Sequence, residues 1–558
     1  MNMSLASFNV PDRPANPDVV IVGAGPVGLY AAARLAQFGA SVLILERASE
    51  PMRRGSKALC VQSDVIDLLD NVGCGHPVRE AGCAWNLSRT YVRNTEVRTT
   101  RFDAGPTGTP AFVNLPQWQI EDLLRAAGER TGRVRIVWGA EFDGLEQDAE
   151  DPDPDRKVDI RFQQDGAVRT VSTTFLLGCD GVRSNVRETL GVEWLGRVHA
   201  DRFLIVDAEF DVDWPKERRF WFDAPSNPGR QIVVHPQPGR MWRLDWQLPK
   251  DCDPKAEIAP HRIADRIETL AGTREHRLEW ASTYRFHQRH AARMRLGNVF
   301  LLGDAAHALP PFGARGMNSG LQDAENLCWK LAAVLEGQAA ADILTTFDRE
   351  RFKAARENVA ITGKTIRFMV PPTRLHHWYR NALVRGAARF PALNGLINSG
   401  KMSTPTSYRG LDTVQRRTRG NLRPGDIVPN LSLGSDALRA HLAGGFGLIA
   451  ARQSPAGERI EAALPFISRL GVTLIWADDA EYAASHKLTD LLRQAAAPAL
   501  LVRPDGYLAG VLIQDIRAEL TQLLKPYGIR PAPVSGPSDR TIPVAGISGH
   551  PTSTGATQ

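Results

Sequence analysis

The sequence predicts an α/β architecture in three parts, and three observations carry that expectation. A short apolar run, Val19-Val-Ile-Val22, leads into a Gly-rich turn, a small-residue helical stretch to Phe38 and a second apolar run at 41–45 that ends at Glu46. Between residues 200 and 290 the pattern changes to short β-like runs rich in aromatics. After Arg423-Pro-Gly425, strand-like runs return near 446–450, 472–476, 499–502 and 507–512, with helical segments between them. The first stretch reads as a βαβ unit with buried parallel strands, the second as an inserted β-rich domain, and the third as a small α/β domain.

Composition sets the outer bounds. The chain has 558 residues, of which 43% are hydrophobic and 23% charged, with a net charge of +6. These values suit an ordinary globular protein of two to four domains. The basic clusters, Arg53-Arg54 and Arg416-Arg417-Thr418-Arg419, are short and lack interleaved aromatics. They read as solvated faces, so no nucleic-acid partner is expected. None of the six cysteines forms a C-x-x-C pair, which argues against a disulfide framework or a metal site and suits a reducing compartment. Residues 1–18 carry no apolar signal segment, and no run is long enough to span a membrane; a cytoplasmic location is expected. Residues 1–17 and the Pro-, Gly-, Ser- and Thr-rich stretch 531–558 are expected to be disordered.

The motifs follow in chain order. Gly23-x-Gly25-x-x-Gly28 follows a strand, opens a helix and has Glu46 eighteen residues after its last glycine. That is a dinucleotide fingerprint of the Rossmann-like fold. Its glycines serve a tight turn, close approach of a pyrophosphate and close helix–sheet packing, and Glu46 can accept from a ribose hydroxyl. Residues 51–130 alternate helical and loop patterns. A second strand ending in a Gly-rich turn is Phe175-Leu-Leu-Gly-Cys-Asp-Gly181. In 241–248, Trp242, Leu244, Trp246 and Leu248 face one way and Arg243, Asp245 and Gln247 the other, the period-two pattern of a half-buried antiparallel strand. Next comes a buried strand at 299–302, then Gly303-Asp304, a loop with Pro310-Pro311, Gly313 and Gly316, and a helical pattern to about 369. Ser319-x-x-Gln322 fits a capping box at its start. A carboxylate at a strand end and amides at a helix start are what a flavin needs: an acceptor for its sugar-like hydroxyls and donors for a ring that becomes anionic on reduction.

Gly23-Ala-Gly-Pro-Val-Gly28 with Glu46-Arg47, Cys179-Asp-Gly-Val-Arg-Ser184 and Gly303-Asp-Ala-Ala-His307 occur in this order, and together they resemble the class A flavoprotein monooxygenases, the group of para-hydroxybenzoate hydroxylase and 3-(3-hydroxyphenyl)propionate hydroxylase. The resemblance implies FAD as cofactor, NAD(P)H as co-substrate, and hydroxylation of a small phenolic substrate by O2 through a flavin C4a-hydroperoxide. It implies that Gly23, Gly25 and Gly28 hold the pyrophosphate, that Glu46 with Arg47 holds the adenosine ribose, and that Gln117 contacts the flavin. Asp180 would lie where FAD and NAD(P)H meet. Gly303 and Asp304 would bind the ribityl chain, and Gly316, Met317 and Asn318 would face the isoalloxazine. Lys57 stands where the family usually has Arg, and Ala314-Arg315 where the phenylpropionate hydroxylases commonly have Gly-Gln. The implied fold is a FAD-binding domain at 18–195 and 285–370, a β-rich substrate domain at 196–284, a helical connector at 371–425 and a thioredoxin-like domain without C-x-x-C at 426–530, with a homodimer possible.

The sequence names no catalytic base. His235, Tyr284 and His287 lie in or near the β-rich region, each with a structural role as the plainer expectation. Pocket candidates are Trp221, His235, Trp246 and Pro311. Two other flavoenzyme readings share this architecture, a Baeyer–Villiger-type oxygenase and a reductase. A flavin-carrying binding protein is the non-enzymatic one.

Overall fold

The computed structural model describes residues 16–529 except 54, 56–57, 148–150, 372, 398–401, 403, 417–418, 435 and 480–485. Lys57 and the tail from 530 therefore lie outside the described residues.

A six-stranded sheet forms the nucleotide-binding core. Its order is Arg295–Leu296, Val299–Leu301, Phe175–Gly178, Val19–Val22, Val42–Glu46 and Val134–Trp138, parallel throughout except at the Arg295–Leu296 edge. Val19–Val22 pairs with Val42–Glu46 on one side and Phe175–Gly178 on the other, so the chain reverses its winding direction at this central strand. In such sheets the crevice at the strands' carboxyl ends is where a ligand fits. The strands are Val-, Ile- and Leu-rich and largely buried. The Pro26–Gln37 helix packs against them, and Phe142, Val158, Ile160 and Phe162 of a three-stranded antiparallel sheet (Glu141–Glu146, Val158–Gln164, Ala167–Thr173) join the same core. Helix α1 (Pro26–Gln37) starts directly after the Gly-rich turn, with Pro26 at its first position and no side-chain cap.

The helical pattern after the Pro/Gly loop is two helices, α2 (Gly316–Leu335) and α3 (Ile343–Met369). The expected capping box at Ser319 is not formed. The helix begins at Gly316, so the Ser319 N–H is already bonded to the Arg315 carbonyl, and Gln322 donates to Asp64 instead.

The β-rich part is larger than the 196–284 expected for it. It is an eight-stranded sheet ordered His307–Ala308, Arg277–Ala291, Trp194–Glu209, Met241–Gln247, Ile232–Pro236, Arg218–Phe222, Leu87–Val92 and Thr95–Arg101. The two long strands run past both expected boundaries, and Leu87–Val92 joins by a parallel pairing with Arg218–Phe222. Residues 51–130 thus hold strands where helix and loop were expected. On one face of this sheet Leu204, Val206, Trp242, Leu244 and Trp246 pack on Ile263 and Ile267 of the Pro260–Ala271 helix.

A four-stranded sheet follows, ordered Thr473–Trp476, Gly447–Ala450, Ala499–Val502 and Leu508–Leu512, its first pair parallel and the others antiparallel. It is joined to α2 and α3 by a buried ionic lattice. Arg503 donates two bonds to Glu350 (2.6 and 2.9 Å), and Glu350 also accepts from Lys330 (2.8 Å) and Asn326 (2.8 Å). Asn326 reaches Asp505 as well. Next to Glu350, Arg351 donates to Asp323 (2.6 Å) and to the Tyr408 hydroxyl (3.0 Å). No described helix is long and apolar enough to cross a membrane.

Candidate active site

The two large sheets face each other across a cavity of about 540 Å³. One wall is the carboxyl edge of the core sheet, where the fingerprint and the two distant motifs converge. Gly23, Gly25, Glu46, Asp180 and Asp304 all line it, with Arg47, Gln117, Gly316, Met317 and Asn318 around them. Gly28 and Gly303 do not. They stand behind the wall.

The three fingerprint glycines have different physical reasons. A Cβ on Gly23 would lie 2.5 Å from the Cys179 carbonyl oxygen, and its φ of +105° is one that side chains rarely adopt. A Cβ on Gly28 would lie 2.2 Å from the Gly23 carbonyl oxygen, so this glycine lets α1 press on the turn. A Cβ on Gly25 would meet nothing within 4 Å. It borders the cavity at an uncapped helix start, which is the place where an anionic group gains from free N–H donors.

Glu46 accepts from the N–H of Ala24 (2.7 Å) and of Ala48 (2.9 Å), so its carboxylate ties the turn to the strand end while edging the cavity. Asp180 accepts from Val186 N–H (3.1 Å) through one oxygen; the other has no hydrogen-bond partner among the described residues. Burial raises the Asp180 pKa. Gln117 heads the Gln117–Arg130 helix and donates to Glu121 (2.7 Å), whose carboxyl burial pushes up to about 7.

Asp304 is exposed to the cavity between buried neighbours. A Cβ on Gly316 would lie 3.8 Å from its carboxylate, which puts Asp304 beside the start of α2. The segment is fixed from behind. Asp323 accepts from the Gly303 N–H (3.1 Å) and pairs with His307 (2.6 Å) and Arg351. Burial alone would raise the Asp323 pKa, yet His307 and Arg351 hold it below the usual range. The Asn318 side chain is already committed to the Cys60 carbonyl (2.9 Å), the Ala314 carbonyl (2.6 Å) and the Gln62 N–H (3.2 Å), so at the cavity only its backbone is on offer. Arg315 is buried and bonded to Asn358 (2.6 Å). Burial pushes its pKa down to about 10.

The opposite wall was the less legible one. Of the four pocket candidates, His235 and Pro311 line the cavity; Trp221 and Trp246 do not. Trp246 is fully buried on the other face of its strand, and Trp221 stacks on Tyr91 with ring centres 4.9 Å apart. The cavity takes instead the face bearing Arg243 and Asp245, with Arg218, Tyr284, His287 and an apolar lining of Phe203, Ile205 and Phe286. The period-two pattern of 241–248 had sorted Arg243 and Asp245 onto one face, which was the available signal. That face meets a cavity, not bulk water.

The electrostatics of this wall are set by burial. Arg243 forks onto Asp207 with bonds of 2.9 and 2.6 Å, and Gln237 adds a third to Asp207 (2.7 Å). Arg218 donates to Ser88 (3.0 Å), and burial pushes its pKa down to about 10. His235 stands across from Arg243 in the sheet. Burial, reinforced by Arg218 and Arg243, holds its pKa well below the ordinary histidine value. Asp245 lies between Val233 and Ile205 on the neighbouring strands. Burial pushes it up to about 7 against the opposing pull of Arg243. The Tyr284 hydroxyl is raised well above its usual pKa, by burial first and then by Asp245. Among the described residues no cluster of His, Cys, Asp and Glu is arranged to hold a metal.

A family model described as an FAD binding domain matches residues 16–362, more than half of the chain. The chain belongs to the class A flavin-dependent aromatic monooxygenases. Among curated members of this flavin monooxygenase family, it is 31% identical over 369 residues to pentachlorophenol 4-monooxygenase of Sphingobium chlorophenolicum, covering 64% of this chain and 65% of that one. It is 27% identical over 578 residues to the 3-(3-hydroxy-phenyl)propionate/3-hydroxycinnamic acid hydroxylase of Mycolicibacterium smegmatis, covering 96% and 97%. Aklavinone-11 hydroxylase, solved with FAD and aklavinone, shares the fold at a TM-score of 0.73 and 24% identity, over 92% of this chain and all of that one. FAD is the cofactor of the family, and the residues present fit it: an open cradle at Gly25, a carboxylate oxygen without a partner on Asp180, and Asp304 beside a helix start.

Proposed function

We propose that this flavin monooxygenase uses NAD(P)H and O2 to hydroxylate a phenol, as a single-component enzyme. The observation that carries the reading is one cavity with two unlike walls, a dinucleotide-binding sheet edge on one side and a buried polar face set among aromatic side chains on the other. Bound FAD, reduced by NAD(P)H, supplies the activation of dioxygen at its C4a position.

The chain's own residues do the rest. The Gly23–Gly28 turn and the start of α1 hold the pyrophosphate, Glu46 and Arg47 the adenosine end, and Asp304 the ribityl hydroxyls. The first amides of α2, at the positive end of a 20-residue helix, would offset negative charge on the reduced ring. Asp180 is the polar group placed where a nicotinamide would approach. Phe203, Ile205 and Phe286 carry the substrate ring, and the buried polar face orients its hydroxyl. The four-stranded unit at 447–512 we read as thioredoxin-like; it has no cysteine, so its part is structural.

Purified protein is expected to be yellow and to oxidise NAD(P)H faster with a suitable phenol, giving a product heavier by one oxygen in mass spectrometry. Colourless protein that cannot be reconstituted with FAD overturns the proposal. Turnover indifferent to O2 points to a reductase instead.

A further inference from the structure

Asp245 is the most unusual group of the cavity's polar wall. Its Oδ1 is shielded from solvent and has no hydrogen-bond partner among the described residues, although the side chain borders an open cavity. The cross-strand neighbours, Val233 and Ile205, offer no donor. Arg243, two residues along the same strand, is forked onto Asp207. A carboxylate in such a place lacks one thing: a hydroxyl or N–H supplied from the cavity.

We propose that Asp245 is the base that accepts the proton of the substrate's hydroxyl, which makes the substrate class a neutral phenol bound through that hydroxyl to the polar wall; this rests on the hydroxylase reading above. The step is a proton transfer alone. The phenol O–H bond breaks, a new O–H bond forms at the Asp245 carboxylate, and the electron pair stays on the phenolate oxygen, where it enriches the ring carbons that will receive oxygen. Nothing is oxidised or reduced. The charge of the wall is unchanged, since a carboxylate is exchanged for a phenolate beside Arg218 and Arg243.

The other titratable groups around the cavity do not serve as well. His235, on the next strand, is disfavoured as a proton acceptor by burial and by the guanidinium groups of Arg218 and Arg243. Tyr284, on the Arg277–Ala291 strand, keeps its proton, because burial and Asp245 raise its pKa well above the usual tyrosine value. Asp207 is occupied by Arg243 and Gln237. Cys60, which faces Arg218, is pushed up to about 12 by burial. Asp245, at about 7, is matched to accept a proton near neutral pH.

The test compares FAD-loaded wild type with Asp245→Asn and His235→Gln on phenol and fluorinated phenols of increasing acidity, scoring hydroxylated product. Wild type should lose rate on the less acidic phenols as pH falls below about 7. Asp245→Asn should lose this limb and be slower on phenol by on the order of 100-fold, the usual contribution of a positioned base. The deficit should shrink towards none for a fluorophenol already ionised in bulk solution, because that substrate needs no base. His235→Gln should show no such dependence on acidity. A deficit of equal size across the series, or none at all, overturns the role of Asp245 and leaves the hydroxylase reading intact. Failure of the wild type on every phenol overturns both.

Discussion

Two buried polar clusters in this molecule use the same residue types and behave in opposite ways. At the junction with the four-stranded unit, Glu350 is gripped by Arg503, Lys330 and Asn326. Burial alone would raise its pKa, but Arg503 and Lys330 outweigh it and hold the carboxyl far below the usual range. In the cavity wall, Asp245 has hydrophobic neighbours across both adjacent strands and is pushed up to about 7. A carboxylate whose lone pairs are all used fixes one arrangement of the chain. One left short of partners is costly to ionise and available for chemistry. The lattice belongs to stability, and the wall is where the proposed proton transfer is placed.

The sharpest way to break this contrast is to remove one partner from each cluster. Glu350→Ala strands Arg503 and Lys330 as buried cations, and should destabilise the protein by about 3–5 kcal/mol in denaturant unfolding. Arg503→Met should act in the same direction. Packing at the fingerprint comes next. Gly28→Ala drives a methyl towards the Gly23 carbonyl at 2.2 Å and should cost about 1–3 kcal/mol. Gly25→Val makes the complementary case. Its Cβ meets nothing within 4 Å, so the apo protein should melt near the wild-type temperature while the yellow colour is lost. If Gly25→Val still retained FAD, the cradle would be misassigned.

The last contrast is in the pH dependence of stability, where the two clusters should differ in sign. Unfolded Glu titrates at about 4.3, above the depressed folded value of Glu350, so its contribution is full above that pH and is lost on acidification. Unfolded Asp titrates at about 3.9, while folded Asp245 titrates at about 7. Between those values the folded state holds more protons, so this group lowers stability as pH rises. Unfolding curves of Asp245→Asn from pH 4 to 8 should show that descending part flattened, and those of Glu350→Gln should show a weaker fall in acid.

The same contrast explains what was legible in the sequence. The Val19–Glu46 unit was readable because every element of it is local: an apolar run, glycines at fixed offsets, a helix, a second run. Asp180 and Asp304 were readable because each ends an apolar strand. The lattice left no such trace, since Arg503 and Glu350 stand 153 residues apart. The polar wall was half readable. Alternation in 241–248 sorted its residues correctly by face, but a period of two says which side chains share a face and not what the face meets. For the same reason Trp246, a natural pocket candidate by chemistry, is core, while Asp245 beside it in sequence is at the cavity. The Ser319 capping pattern misled because helices start where backbone donors first run out of partners, and here that point was set at Gly316, next to Asp304.

The Arg503–Tyr507 turn also bears on how the gene can be cut. It is a wedge whose charges are complete only when seated against α2 and α3, so the unit after residue 425 is no detachable appendage. A chain ending at residue 425 would leave Glu350 and Lys330 at a raw surface beside Asp323, which steadies the segment bearing Asp304. The two pieces made separately should be insoluble or colourless, and made together should find each other again, the broken halves of one key.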